Sequence, residues 1–242
     1  MIMYKVSIFD FINKRTLLIH LPRIACILFI ILQIIGMIVY PGGTIHDTST
    51  VGYTFSKNFF SDMGAYSSRN GEPNYLSMII FSSSLTVVGI TFALYYLALP
   101  SILGINRLNY ILASCGTVFA IISSICMIGT GLTPTDLVFG PHVFFANNIF
   151  HFSLLSSLLY TVVVYRSGIL EKKYIIGYAL FFLSIFAYVG VLQYGPSARA
   201  NEEGLVFQVV SQKMIVLAFI CSVLHQTFGF AKVNSLNNRV EN

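Results

Sequence analysis

The stretch YLSMIIFSSSLTVVGITFALYYLAL, residues Tyr75–Leu99, decides the fold class, because its 25 residues include no Asp, Glu, Lys or Arg. A helix rises about 1.5 Å per residue, so about 20 apolar residues are enough to cross the hydrocarbon core of a bilayer. In that core every backbone amide must be paired within the protein, and a continuous helix satisfies this condition. The stretch therefore predicts a membrane-spanning helix.

Five further apolar runs have the length of a membrane span or come close to it. The full set is Ile24–Tyr40, Tyr75–Leu99, Tyr110–Leu132, Val143–Tyr165, Tyr174–Tyr194 and Leu205–Phe230. Only 10% of the 242 residues are charged and 56% are hydrophobic, whereas a soluble domain carries about 25% charged residues. This composition excludes a soluble enzyme and a disordered chain. We predict an all-α, six-helix transmembrane bundle that forms a single membrane domain.

The N-terminal residues 1–23 are predicted to lie in the cytoplasm or at the membrane surface. The run Ile24–Tyr40 has 17 residues and reaches crossing length only if Leu21–Arg23 join it. It is followed by Pro-Gly-Gly rather than by the small-residue cleavage site of a signal peptide, which indicates an uncleaved span. Met1–Thr16 mixes apolar and basic residues, and this pattern predicts a short amphipathic helix along the membrane surface.

The distribution of basic residues predicts the orientation of the bundle. Ten of them flank the spans on one side: Lys5, Lys14, Arg15, Arg23, Arg107, Arg166, Lys172, Lys173, Lys232 and Arg239. Only Lys57, Arg69 and Arg199 lie on the other side. Because cytoplasmic loops are rich in Lys and Arg, we predict a plasma (inner) membrane protein with both termini, including the tail 231–242, in the cytoplasm. The basic residues are thus explained by their role in orienting the spans, so we expect membrane lipid and no nucleic acid as a partner.

Polar side chains enter the spans from the predicted outer side. Asn147, Asn148 and His151 share one arc of the fourth span, and Gln208 and Gln212 share one face of the sixth. Apolar residues follow on both arcs, so we predict an outward cup with an apolar floor. The loops 41–74 and 133–142 are predicted to roof the cup and to add Ser61, Asp62, Asp136 and His142 to it. Such a cup could bind a lipid head group or a small polar ligand. The alternative is that these side chains only form hydrogen bonds between helices, as in a scaffold without a ligand.

Lys213 lies within the sixth span, next to the polar face just described. We predict that it is a buried cation paired with Asp62 or Asp136, and the alternative is that it extends to the outer interface. Asp62 could also have a purely structural role in a turn that uses the conformational freedom of Gly64. Asn74 is placed to cap the second span.

Small residues inside the spans are interpreted as packing residues. The pairs and triplets of serine at residues 82–84, 123–124 and 156–157 permit close helix approach, and no nucleophile motif accompanies them. The cysteines lie in apolar runs without metal-site spacing and are predicted to be small buried hydrophobic residues; they are Cys26, Cys115, Cys126 and Cys221.

A membrane-embedded, zinc-dependent hydrolase is the alternative function, with Asp62, Asp136, His142 and His151 as ligands. These are the side chains that a catalytic zinc uses. His142 and His151 are nine residues apart, which places them on opposite sides of one helix, so they could share a metal only if His142 lies in a loop. Because this spacing is unfavourable, we expect no metal or other cofactor.

Two short motifs on the predicted outer side resemble a family of six-span membrane proteins catalogued as domain of unknown function nine-nine-eight. The motifs are NFFSDMG at Asn58–Gly64, with GEPN at residues 71–74, and GLTPTD at residues 131–136, followed by His142. A Ser-Asp-x-Gly pattern also occurs in eukaryotic damage-regulated and phosphatidylinositol-related six-span proteins. The resemblance implies the fold and topology but no activity. It implies a shared outer cluster of Ser61, Asp62, Gly64, Pro134, Asp136 and His142.

Overall fold

The computed structural model describes the backbone of residues 14–240 and the side chains of residues 14–233, and it is all-helical in its regular structure. Six long helices make up the fold: α1 (Leu21–Val39), α2 (Tyr75–Ala98), α3 (Arg107–Leu132), α4 (Phe139–Ser167), α5 (Lys172–Tyr194) and α6 (Glu202–Val240). All six are long and apolar enough to cross a membrane. The predicted all-α, six-helix membrane bundle is therefore confirmed.

The helices differ from the predicted spans mainly at their ends. A π-helical turn, Thr16–His20, leads directly into α1, so the short first run gains the length that it lacked. Pro22, which has no backbone N–H, is the second residue of α1 and lies just after this turn. α6 continues past the predicted end at Phe230 as far as Val240. Most of the surface helix predicted for residues 1–16 lies outside the described residues.

The six helices form a closed ring in chain order. Each helix packs against the next one along the chain, and α6 returns to contact α1. A short helical turn, Pro100–Leu103, connects α2 to α3. Large apolar side chains such as Ile38 and Leu180 are exposed on the outside of the ring, as expected for a surface that faces lipid. The buried side chains point towards the ring centre.

Small residues hold neighbouring helices together, as the sequence predicted for the serines. Ser77 of α2 donates a hydrogen bond to the Gly36 carbonyl of α1 at 3.0 Å, and Ser82 donates to the Gly131 carbonyl of α3. Prediction and structure differ for the cysteines, because Cys26 and Cys126 are buried but Cys115 and Cys221 are exposed.

Polar side chains are not confined to one half of the bundle, which corrects the predicted asymmetry. Tyr95, Tyr160, Tyr178 and Gln226 are at most 1% exposed, and they lie in the half that was predicted to be cytoplasmic. Tyr95 donates a hydrogen bond to the Gln226 side chain at 3.0 Å. Gln226 lies in the half of the sixth span away from Gln208 and Gln212, outside the predicted polar face.

Candidate functional site

Residues 40–74, between α1 and α2, form a compact segment that we call the cap. Its central element is the 3-10 turn Phe60–Gly64, which contains most of the motif NFFSDMG. Gly64 does not adopt a positive φ, contrary to the turn considered from the sequence. A Cβ atom at Gly64 would lie 2.5 Å from the ring of Phe81 on α2. The glycine is therefore required because the cap and α2 approach closely.

The Asp62 carboxylate is the electrostatic centre of the cap. It is 1% exposed and accepts two hydrogen bonds from the Arg69 guanidinium, at 3.1 and 2.8 Å. Its second oxygen accepts from the Phe59 amide and the Asn58 side chain, at 2.9 and 3.2 Å. Burial of the Arg69 guanidinium disfavours its charge, but the Asp62 carboxylate outweighs this effect and raises the pKa of Arg69.

Burial also affects Tyr40, which lies beside this ion pair. The Tyr40 hydroxyl accepts a hydrogen bond from the Arg69 amide at 3.2 Å. Burial and the nearby Asp62 charge both disfavour the phenolate, so the pKa of Tyr40 is raised to about 12. Tyr40 is thus kept neutral and Arg69 charged across the neutral range.

Asp136 joins the cap to the segment between α3 and α4. Its two carboxylate oxygens accept hydrogen bonds from the backbone amides of Tyr66 and Ser67, each at 2.8 Å. His142 reinforces the same segment, because its Nδ1 bonds to the Thr133 carbonyl at 2.6 Å. These side chains serve the connection between loops, which is a structural use of their charge and polarity.

Gln212 and Lys213 join the cap to α6. The Gln212 carbonyl oxygen accepts a hydrogen bond from the Phe60 amide at 2.9 Å, and the Lys213 ammonium donates to the Asn58 carbonyl at 2.7 Å. Three aromatic rings of the cap, those of Tyr53, Phe55 and Phe60, surround the Lys213 ammonium at 4.9 to 5.4 Å. Cation–π attraction of this kind helps a buried ammonium to remain charged.

The predicted ion pair of Lys213 with Asp62 or Asp136 is therefore wrong. Lys213 is buried, as predicted, but its partners are a backbone carbonyl and aromatic rings. Asp62 is paired with Arg69, and Asp136 is occupied by two backbone amides. The prediction that Asn74 caps α2 is also wrong, because its side chain donates to the carbonyls of Met63 and Ala65 inside the cap.

The remaining residues of the predicted cup are half-buried and dispersed. Asn148 donates to the Phe144 carbonyl of its own helix at 2.8 Å. His151 contacts the side chain of Gln193 on α5 at 3.2 Å, and Gln208 donates to the Pro196 carbonyl at 2.9 Å. Asn147 and Ser61 are also half-buried. The cup is thus not an open cavity, because the cap occupies the space beside Gln212 and Lys213.

The four residues considered as zinc ligands do not assemble into a metal site. His142 lies in the first turn of α4 rather than in a loop, so it remains on the opposite side of the helix from His151. Among the side chains of residues 14–233, no three His, Cys, Asp or Glu are grouped as metal ligands would be. The geometry gives the hydrolase alternative no support.

A cavity of about 100 Å³ lies at the centre of the ring. Five of the six helices line it with apolar side chains, among them Cys26, Phe92, Met127, Ile149, Ile215 and Phe219. The cap lies near one end, because Leu85 lines the cavity and also packs against the cluster that contains the cap residues Tyr40 and Met63. The sixth-span part of the apolar floor predicted for the cup lines this cavity, through Ile215, Val216 and Phe219. The fourth-span part does not, because Leu155 and Leu158 are exposed.

Three residues of the cap and its surroundings were missed by the sequence argument. Asn58 is fully buried, and its side chain bonds to Gly43 and accepts from the Thr54 amide. Arg69 was counted only as a topology charge, and Gln33 of α1, which donates to Ser84 at 2.7 Å, was not considered. Asn58 begins the quoted motif NFFSDMG, so the motif itself was a signal that could have identified it.

Comparison with known proteins gives no match for this chain, whether among family models, curated proteins or solved structures. The geometry of the capped cavity is therefore the basis for a functional hypothesis. Two features of that geometry bear on function: an apolar interior and a cap that is held by buried polar contacts.

Proposed function

We propose that this chain is an integral membrane protein that binds or handles a lipid, with the apolar chain of the lipid in the central cavity beneath the cap. The observation that carries the proposal is the cavity of about 100 Å³ at the ring centre. Because the cavity lies inside a membrane-spanning bundle, lipid chains are the most abundant apolar molecules around it. The polar ligand site expected from the sequence is replaced by a site for an apolar group.

The cost of leaving such a cavity empty supports an apolar occupant. Residual cavities in protein cores cost about 24 cal/mol per Å³, so a void of this size would cost about 2 kcal/mol. Apolar cavities of comparable size stay dry and accept small apolar molecules. Part of a lipid chain would restore the lost van der Waals contacts of Phe92, Ile149 and Phe219.

The cap supports the proposal because it gives the cavity a defined lid on one side. The cap contacts the ring at three places. Gly64 packs closely against α2, Asp136 after α3 accepts hydrogen bonds from cap amides, and Lys213 on α6 donates one to a cap carbonyl. An apolar cavity under a rigid polar lid is suited to retaining a chain. A pore that conducts ions would instead need a continuous polar path through the ring.

We further propose membership of the resembled six-span family, with the cap facing outward from the plasma membrane and both termini in the cytoplasm. The motif residues support this proposal, because Asp62, Gly64, Asp136 and His142 all act in one structural unit, the cap and its anchors. The excess of basic residues at the opposite end of the bundle supports the orientation.

Cavity-filling variants test the proposed function. Val88 lines the cavity, whereas its neighbour Val87 is 38% exposed on the outside of the ring. We expect Val88→Phe to occupy the cavity with its own side chain and to reduce the lipid that copurifies with the protein. Val87→Phe, the matched control, should retain as much lipid as the natural protein. Lipid is extracted after extensive detergent exchange and quantified by mass spectrometry per mole of protein.

A second variant, Val216→Phe, fills the cavity from α6 and guards against a folding defect that is specific to Val88→Phe. Thermal unfolding of each purified variant shows whether the bundle is intact. Equal lipid content in the natural protein, both cavity variants and the control would contradict the proposed function.

A further inference from the structure

A small polar niche adjoins the central cavity on the side away from the cap. It has a volume of about 10 Å³ and is lined by serines from two helices, Ser123 and Ser124 of α3 and Ser153 and Ser156 of α4. Phe92, Met127 and Phe219 line both spaces, so the niche and the cavity are adjacent. The niche has room for about one small polar group.

The hydroxyl of Ser156 carries the inference. Ser156 is 2% exposed, and its Oγ is buried without a hydrogen-bond partner in the described part of the chain. Other serines in the same spans, such as Ser157, donate to a carbonyl of their own helix. A buried hydroxyl that lacks a partner is destabilising, so a group that accepts from Ser156 would be favoured in the niche.

Ser153 supplies the complementary function. Ser123 donates its only hydroxyl proton to the Ile149 carbonyl at 2.9 Å, so the 2.8 Å contact between Ser123 and Ser153 requires Ser153 to be the donor. The Ser153 oxygen keeps lone pairs that can accept a hydrogen bond. The niche therefore offers one donor, at Ser156, and one acceptor, at Ser153.

We propose that the niche and the cavity together bind a neutral single-chain amphiphile that ends in an alcohol hydroxyl. The hydroxyl accepts a hydrogen bond from Ser156 and donates one to Ser153, while the aliphatic chain lies in the cavity. An aldehyde or ketone could accept from Ser156 but could not donate to Ser153. A carboxylate would bury a negative charge with no cation to pair it, which is unfavourable. This inference rests on the proposed function and specifies the class of its ligand.

The length of the combined site fits a medium-length chain. Leu85 and Tyr96 mark its two ends on α2, and these residues are separated by about 16 Å at 1.5 Å per residue. A chain that enters from the cavity can place its hydroxyl in the niche with its carbon atoms against apolar side chains. The ligand would thus lie along the ring axis.

A tryptophan reporter tests the inference in the full chain, which has no natural Trp. Phe219→Trp places the only indole at the junction of the niche and the cavity, and bromine on a bound ligand quenches its fluorescence. The probes are 8-bromo-1-octanol and 1-bromooctane, titrated into protein in lipid nanodiscs. Phe186→Trp, at a position that is 60% exposed outside the ring, measures partition of each probe into the bilayer.

We expect both probes to quench the Phe219→Trp reporter saturably, with the alcohol binding more tightly after correction for partition. Ser156→Ala should weaken binding of the alcohol about threefold to tenfold and leave the affinity for 1-bromooctane unchanged. Ser184→Ala is the matched control, because the Ser184 hydroxyl makes an exposed hydrogen bond to the Leu180 carbonyl of its own helix. If the indole of Phe219→Trp is too large and blocks the junction, a second reporter, Phe29→Trp at the cavity wall, still measures binding.

The outcomes separate this inference from the proposed function. If both probes bind equally well and Ser156→Ala affects neither, the alcohol assignment is overturned while the chain-binding function stands. If neither probe gives saturable quenching at either reporter, the proposed function itself fails.

Discussion

Gln212 and Lys213 are neighbours in the sequence, and both fasten the cap to α6. Gln212 accepts from the Phe60 amide, and Lys213 donates to the Asn58 carbonyl. If the cap moved away from α6, the Phe60 amide and the Asn58 carbonyl would lose these hydrogen-bond partners. This requirement explains why polar side chains are retained at membrane depth on α6.

Gln212→Leu is expected to destabilise the protein by about 1–3 kcal/mol, because the Phe60 amide would lose its partner in a part-buried position. Gln208→Leu is the matched control one turn earlier on α6. Gln208 bonds to the exposed Pro196 carbonyl, which water can satisfy, so its loss should cost less than about 1 kcal/mol. Thermal unfolding of the two purified variants measures the difference. Equal losses would show that the Phe60 contact is not important for stability.

The sequence predicted the burial of Lys213 but not its partners. Burial follows from its place in the middle of an apolar run, which a single sequence displays directly. Its partners are a backbone carbonyl and the rings of Tyr53, Phe55 and Phe60, which belong to a segment more than 150 residues away. A carboxylate is the partner that charge suggests, but the path of the intervening chain decides which groups reach the ammonium.

Asp136 shows how the elements of the fold are connected. Two amides of the cap converge on its carboxylate, so one side chain fixes the position of residues 66 and 67 relative to α3 and α4. The contacts are exposed to solvent. Their contribution is therefore to the order of the cap more than to the stability of the bundle.

Asp136→Ala is expected to increase hydrogen exchange at the amides of Tyr66 and Ser67 about tenfold, because both lose a charge-assisted bond. The unfolding temperature should change little, since water replaces the carboxylate at an exposed site. Asp47→Ala, the control, removes a carboxylate that bonds to Ser49 within the cap. Exchange at residues 66 and 67 that stays at the natural rate in Asp136→Ala would contradict this role.

The sequence predicted the number and approximate positions of the six helices, but not the residues at which they begin and end. The length of an apolar run identifies a span, but the helix can continue into the more polar residues beyond either end of the run. α4 therefore begins at Phe139 and includes His142, although the apolar run was taken to begin at Val143. This shift of one helical turn removed the only arrangement in which His142 and His151 could share a metal.

The arrangement of the whole ring lay beyond what the single sequence predicted. Hydropathy fixes the number of spans, whereas the contact of α6 with α1 that closes the ring depends on side-chain packing. The central cavity is a consequence of that closure, and its lining residues, such as Phe92 and Ile149, resemble any other apolar residues in the spans. The prediction placed the loop between the first two spans over an open cup, whereas the structure places that loop directly against Gln212 and Lys213.

Because the number of spans is even, the chain enters and leaves the bundle on the same side of the membrane, and the proposed orientation places that side in the cytoplasm. Thr48→Cys lies exposed in the cap, and Ser101→Cys lies exposed between α2 and α3. In a background with the four natural cysteines replaced by serine, we expect a membrane-impermeant maleimide to label Thr48→Cys in intact cells. Ser101→Cys should react only after the membrane is permeabilised, because the excess of basic residues at that end of the bundle favours the cytoplasmic side. Labelling in the reverse order would invert the orientation and place the cap over the cytoplasm.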